Sequence, residues 1–160
     1  MSNWPKQSEC AKRFGNPFEP GWAAKNIVRV TPPFPMAMGD IPIPSIQINK
    51  IAADSLSRVL TRIWDLCDHD IGKVKAGHCD CFSGSFALRN MRGLGQVSMH
   101  AYALAIDLDA PHNPLGAAPG RTFYTPDSVV VKAFKAEGWI WGGDWSGRRD
   151  AMHFQAAIVG

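Results

Sequence analysis

No run of apolar residues in this sequence approaches the roughly 20 that a membrane-spanning helix needs. The opening stretch MSNWPKQSECAKRF is polar and broken by Pro5, so it lacks the apolar centre of a signal peptide. The expectation is a protein made and stored in the cytoplasm, with no membrane insertion. Charge of one sign is also scarce: 17 Lys and Arg against 14 Asp and Glu leave a formal net charge of +3. That falls far short of the basic footprint of a nucleic-acid binder, and the densest cationic stretch, GRRD, holds only a pair of arginines. No nucleic-acid partner is expected. Cysteine is sparse and unevenly placed, at Cys10, Cys67, Cys79 and Cys81, with no CxxC pair of the kind a zinc knuckle uses. The HCDC run from His78 to Cys81 therefore reads as a turn or hairpin with free thiols, while a pairing of Cys67 with Cys79 or Cys81 stays open. Internal repeats and low-complexity segments are absent.

What remains is an ordinary globular composition, 46% hydrophobic and 19% charged over 160 residues, enough for one domain with its own core. Residues 1–21 are polar and punctuated by Pro and Gly, and read as an extended N-terminal arm; residues 22–160 read as a single domain. Within it, NIVRVT (26–31) and SIQIN (45–49) alternate like strands. Ile51, Leu56, Val59, Leu60, Ile63 and Trp64 recur at helical spacing over Lys50–Cys67, with Asn49 as the candidate N-cap. SFALR (85–89) reads as a short strand between glycine-rich loops. TPDSVVVKAFKAEG predicts a second helix with Thr125 as N-cap, Pro126 in its first turn and Gly138 at its end. His112, beside NP and PG steps, reads as a turn residue.

The chemistry concentrates in two stretches. In SMHAYALAIDLD (98–109) the alternation from Ala103 predicts a strand, with Leu104, Ile106 and Leu108 on one face and Asp107 on the other. One bend would bring His100 to Asp107. In DAMHF (150–154) His153 opens another apolar strand, HFQAAIV, and Asp150 precedes it by three residues. A lone His beside a strand reads equally as a hydrogen-bonded structural residue, and a lone His–Asp pair as an ion pair. Two imidazoles and a carboxylate in apolar strand contexts, with a spare acid at hand, instead form the donor set of a catalytic zinc that keeps one position for water.

SMHAYALAID resembles an S-x-H-x-x-G-x-A-x-D signature, and GWIWGGDWSGRRDAMHF resembles a W-x-W-G-G-D-W…D-x-x-H-F signature. Both belong to the zinc D-Ala-D-Ala carboxypeptidase and L-alanyl-D-glutamate endopeptidase family, and the resemblance extends over roughly residues 22–160. It implies an α+β fold in which a small antiparallel β-sheet, flanked by helices, carries one Zn2+ held by His100, Asp107 and His153. It further implies Asp150 as the catalytic acid/base, Arg89 (with Arg92 as the alternative) as a group that polarises a carbonyl or docks a carboxylate, and Ser98 as a residue touching substrate or orienting His100. Trp145 is expected nearer the cleft, for substrate, with Trp139 or Trp141 packed beneath the metal. One departure is Ala103, where the family usually has Gly; its methyl group is expected to narrow the packing of the strand or the cleft floor. The implied partner is the stem peptide of bacterial peptidoglycan, met by a monomer. A compact chain with no signal peptide looks like a phage or prophage endolysin, which favours the endopeptidase over the carboxypeptidase. A zinc-containing wall-binding module would need no base at Asp150.

Overall fold

The computed structural model describes residues 4–90 and 96–159. The expected α+β architecture is present. After a 3-10 turn at Gln7–Glu9, the chain forms two short helices, α1 (Cys10–Phe14) and α2 (Trp22–Asn26). Strands β1 (Ile27–Val30), β2 (Met36–Met38), β3 (Ile41–Ile43) and β4 (Ile46–Asn49) follow, with β1 antiparallel to β4 and β2 antiparallel to β3. Helices α3 (Ala53–Leu66) and α4 (Ile71–Ala76) lead to β5 (Phe82–Gly84) and β6 (Ala105–Leu108). Helix α5 (Val129–Ala136), β7 (Ile140–Trp141) and β8 (His153–Gln155) complete the chain. Strands β5, β6, β8 and β7 make one antiparallel sheet in that spatial order.

Helix α3 is where periodicity placed it. Leu56, Val59, Leu60 and Ile63 are buried along one stripe. The helix is entered through a 3-10 turn at Lys50–Ala52, and the Asn49 side chain accepts a hydrogen bond from the Ile51 amide, the cap expected from sequence. Asn49 has a second role. Its side-chain amide donates to Tyr102 O at 3.0 Å and its backbone amide to Ala103 O at 2.7 Å, so the start of α3 is fastened to the turn that carries His100.

Three boundaries differ from the sequence reading. Helix α5 begins at Val129 with Ser128 as N-cap, because Thr125–Ser128 closes first as its own turn, Thr125 N donating to Ser128 Oγ at 2.9 Å. SFALR forms no ladder; the strand lies three residues earlier, at Phe82–Gly84, and 86–89 form no regular element and are held by Ala87 N donating to His100 O. In HFQAAIV the sheet strand covers only His153–Gln155, and Ile158 makes a separate parallel bridge to Lys6. The N-terminal segment contains helix α1, whose Cys10 is fully buried, and is tied down at Trp4, which packs edge-on against Trp139. Behind the sheet, Phe154 stacks on Phe134 of α5 at 4.3 Å and both are buried. Each such apolar side chain contributes about 2 kcal/mol on leaving water.

Candidate metal centre

Asp107 on β6 and His153 on β8 are direct partners across the antiparallel ladder, so their side chains leave the same face of the sheet. His100 reaches them from a tight turn. Ala101 N donates to Ser98 O and Ala103 N to His100 O, while Ser98 Oγ accepts from His100 N at 3.2 Å. Ala103 adopts φ +54, the left-handed conformation that glycine takes without strain. The methyl group at this position therefore loads the backbone of the turn rather than narrowing a strand, and the strand starts only at Ala105.

The hydrogen bonds around the two imidazoles decide which nitrogen each one presents. His100 Nδ1 stands 2.7 Å from the carbonyl of Ser85, which can only accept, so Nδ1 carries the hydrogen. On the other ring, His153 Nε2 lies 2.8 Å from Gln155 Oε1. The Gln155 amide is oriented by its own donors, since Nε2 donates to Ala157 O at 2.8 Å and to Gln7 Oε1 at 2.6 Å. Gln155 thus turns its oxygen to His153, whose Nε2 holds the hydrogen. Both neutral rings are left with a bare lone pair aimed at Asp107: His100 Nε2 is 3.2 Å from Oδ2, and His153 Nδ1 is 3.2 Å from Oδ1. His100 Nε2 is buried and has no hydrogen-bond partner.

Two lone pairs converging on a carboxylate require a cation among them. Donors bound at 2.0–2.2 Å around a tetrahedral zinc stand about 3.3–3.6 Å apart, near the 3.2 Å between each imidazole nitrogen and its Asp107 oxygen. Outer hydrogen bonds that set the ring tautomer are the usual support of such ligands. The donor set therefore fits a metal. In the metal-free protein a proton takes that place. Burial would lower the pKa of His153, but the Asp107 carboxylate outweighs it and raises the value. Burial likewise works against the charge of Asp107, yet the imidazoles hold its carboxyl well below the usual range.

Asp150 lies in the same cleft as these three residues, with Oδ1 buried and without a hydrogen-bond partner. Desolvation pushes its pKa above the ordinary carboxylate value, against the pull of His153. Its carbonyl accepts from His153 N at 3.1 Å and its amide donates to Gly142 O at 2.9 Å. A Cβ at Gly142 would lie 2.3 Å from Asp150 O, so this position is closed to any side chain. An acid without a partner, tuned upward and rigidly mounted beside a metal-ligand set, is suited to move a proton.

Residues 92–156 match the model of a family described as D-alanyl-D-alanine carboxypeptidase. No solved structure matches the chain. The stretch matched to this carboxypeptidase family contains His100, Asp107, Asp150 and His153, and it supports a metallopeptidase. Arg89 lies just before that stretch, lines the cleft and favours the ionised form of Asp150. Arg92 lies outside the described residues. Ser98 and Trp145 also line the cleft, and the Trp145 ring stands 5.4 Å from His153. Ser98 is buried and spends its oxygen on the His100 amide. Trp141 is buried, its Nε1 donating to Ala151 O. Trp139 is tied to Ser55 in the core.

Sequence reasoning passed over Ser85, Gln155, Gln7 and Arg148, although Arg148 and both glutamines line this cleft. The two-residue period of a strand places Gln155 on the face of His153, and that signal alone would have singled it out.

A second His–Asp–His group, formed by His78, Asp109 and His112, has a different character. Its Nδ1 atoms lie 2.6 and 2.7 Å from the two Asp109 oxygens, which are hydrogen-bond lengths with a proton between. Asp109 sits at φ +48 and is braced by these donors and by Asn113. His112 occupies the 3-10 turn at Ala110–His112, as its sequence context suggested. All four cysteines are free thiols, Cys81 being held protonated by a pKa pushed up to about 11 through burial.

Proposed function

We propose that the protein is a zinc-dependent peptidase that hydrolyses the stem peptide of bacterial peptidoglycan, cutting between L-alanine and D-glutamate. One observation carries this reading: two tautomer-locked imidazoles, Asp107 and the unpartnered carboxylate of Asp150 meet in a single cleft, within the stretch that matches a family of peptidases. His100, Asp107 and His153 would hold the metal. When bound, zinc polarises a carbonyl and lowers the pKa of water toward about 7.

Asp150 takes a proton from the attacking water and delivers it to the leaving amine; its raised pKa brings it closer to working pH. Arg89 and Arg148, both on the cleft wall, offer guanidinium groups to negative charge. The substrate has such a charge beside the scissile amide, because D-glutamate linked through its side chain keeps a free α-carboxylate. Trp145 supplies an apolar wall against His153 and limits water around the donors. A binding module without turnover would have no use for a carboxylate oxygen buried without a hydrogen-bond partner, whose desolvation is a standing cost.

Removal of a terminal D-alanine is the second reading, favoured by the description of the matched family. It too presents a carboxylate next to the scissile bond, so the same arginines serve either substrate. Mass spectrometry of products released from purified peptidoglycan, with and without a chelator, separates them. Fragments with a new D-glutamate amine, lost on chelation and regained with zinc, are expected. Free D-alanine would replace the first reading by the second, and no release by folded, zinc-loaded protein would overturn both.

A further inference from the structure

The Gln155 amide is the outer support of His153, and it does not stand alone. At 1% exposure it has no water to fall back on, so each of its hydrogens needs a protein acceptor. Ala157 O takes one and Gln7 Oε1 takes the other, across a sequence separation of 148 residues. Gln7 itself is held in place by backbone pairing with the C-terminal stretch, Gln7 N donating to Ile158 O and Ile158 N to Pro5 O, both at 2.8 Å. The same segment is pinned on either side: Trp4 lies against Trp139, and the Cys10 thiol approaches Met99 Sδ at 3.9 Å, next to His100. None of these N-terminal residues falls in the stretch that matches the carboxypeptidase family.

We propose that Gln7 is a positioning residue of the metal centre: it holds the Gln155 amide so that His153 keeps its hydrogen on Nε2 and turns Nδ1 to the metal. This rests on the metal-centre reading above. The N-terminal segment is then part of the site rather than a cover over it. Without an acceptor at Gln7, one hydrogen of a buried amide is orphaned, and Gln155 is free to swing away from His153. The ring then loses the contact that selects its metal-binding tautomer. Partners of this kind typically change metal affinity by about 10- to 100-fold when removed.

The test is zinc affinity, measured by competition with a chromophoric chelator, together with the melting temperature of each metal-free protein. Gln7→Ala should bind zinc about 10-fold more weakly than the parent, and its metal-free melting temperature should fall as well, since a buried amide hydrogen is left without an acceptor. Gln7→Glu keeps an acceptor for Gln155 and should restore the parent's affinity. Zinc binding by Gln7→Ala as tight as the parent's would overturn the proposal. So would an equal loss in Gln7→Glu, which keeps the acceptor, since that would make Gln7 a general prop of the fold. Failure of the underlying reading looks different: the parent itself would bind no zinc, or would bind it as well after His153→Ala.

Discussion

Asp107 and His153 face each other across two neighbouring antiparallel strands, Oδ1 3.2 Å from Nδ1, with no hydrogen available on the facing nitrogen of the neutral ring. His100 repeats the relationship on the other carboxylate oxygen at the same distance. Removing any corner of this triangle should abolish the binding of one zinc per chain. Asp107→Asn is the sharpest case, because it preserves shape while deleting the charge and one of the two acceptor oxygens. Elemental analysis after gel filtration should read close to one zinc for the parent and close to none for the variant.

Asp150 is expected to separate catalysis from metal binding. Asp150→Asn should retain zinc while turnover of peptidoglycan falls by about 10²- to 10⁴-fold. Because the variant also removes a carboxylate whose Oδ1 is buried without a partner, its metal-free form should melt no lower than the parent. Calorimetry and product release on the same preparations check both halves. Retained turnover would remove Asp150 from the mechanism.

The metal-free protein should show a definite pH dependence above neutrality. His153 has its pKa raised on folding, so its contribution to stability is complete below the unfolded value near 6.5 and is lost as pH rises through the folded value. Asp107 has its pKa lowered, so its contribution is present above the usual carboxylate value and is lost only as pH falls through the folded one. Urea melts of metal-free protein should therefore weaken from pH 6.5 upward. Zinc affinity should rise over the same interval, because the metal and the proton compete for His153.

Gly142 is closed by the backbone of Asp150, which a new Cβ would meet at 2.3 Å. Gly142→Ala should push Asp150 out of position and lower turnover by about 10²-fold, the effect of a displacement near 1 Å. Zinc affinity should fall as well, since the displaced Asp150 carbonyl also accepts from the amide of His153. Single-turnover kinetics with zinc analysis would show this.

At Ala103 the strain runs the other way. Its φ of +54 favours glycine, so Ala103→Gly should stabilise the protein by about 1 kcal/mol in urea melts. Ala103→Val should destabilise it, a β-branched residue being the least tolerant of that backbone.

Much of this was legible in sequence. The stripe of Leu56, Val59, Leu60 and Ile63 specified α3, and the Asn49 cap followed from its place before that stripe. Alternation placed Asp107 opposite the apolar side of β6. Local rules handle such features because they depend on neighbours a few positions away. They misjudged the start of α5, where Ser128 and Thr125 had equal capping chemistry and a turn took the first of them.

The sequence by itself determined the donor types, two imidazoles and two acids in apolar settings, and thereby the chemistry they can support. Only the tertiary structure decided which nitrogen each imidazole offers, because that depends on Ser85 and on the Gln7–Gln155 contact, brought together from distant parts of the chain. It also told apart two His–Asp–His groups of the same composition. In one, two imidazole nitrogens close to 2.6 and 2.7 Å on a carboxylate; in the other, they stand 3.2 Å from the two oxygens of Asp107. A few tenths of an ångström across a fold separate a brace from a metal centre, and no periodicity along the chain encodes that distance.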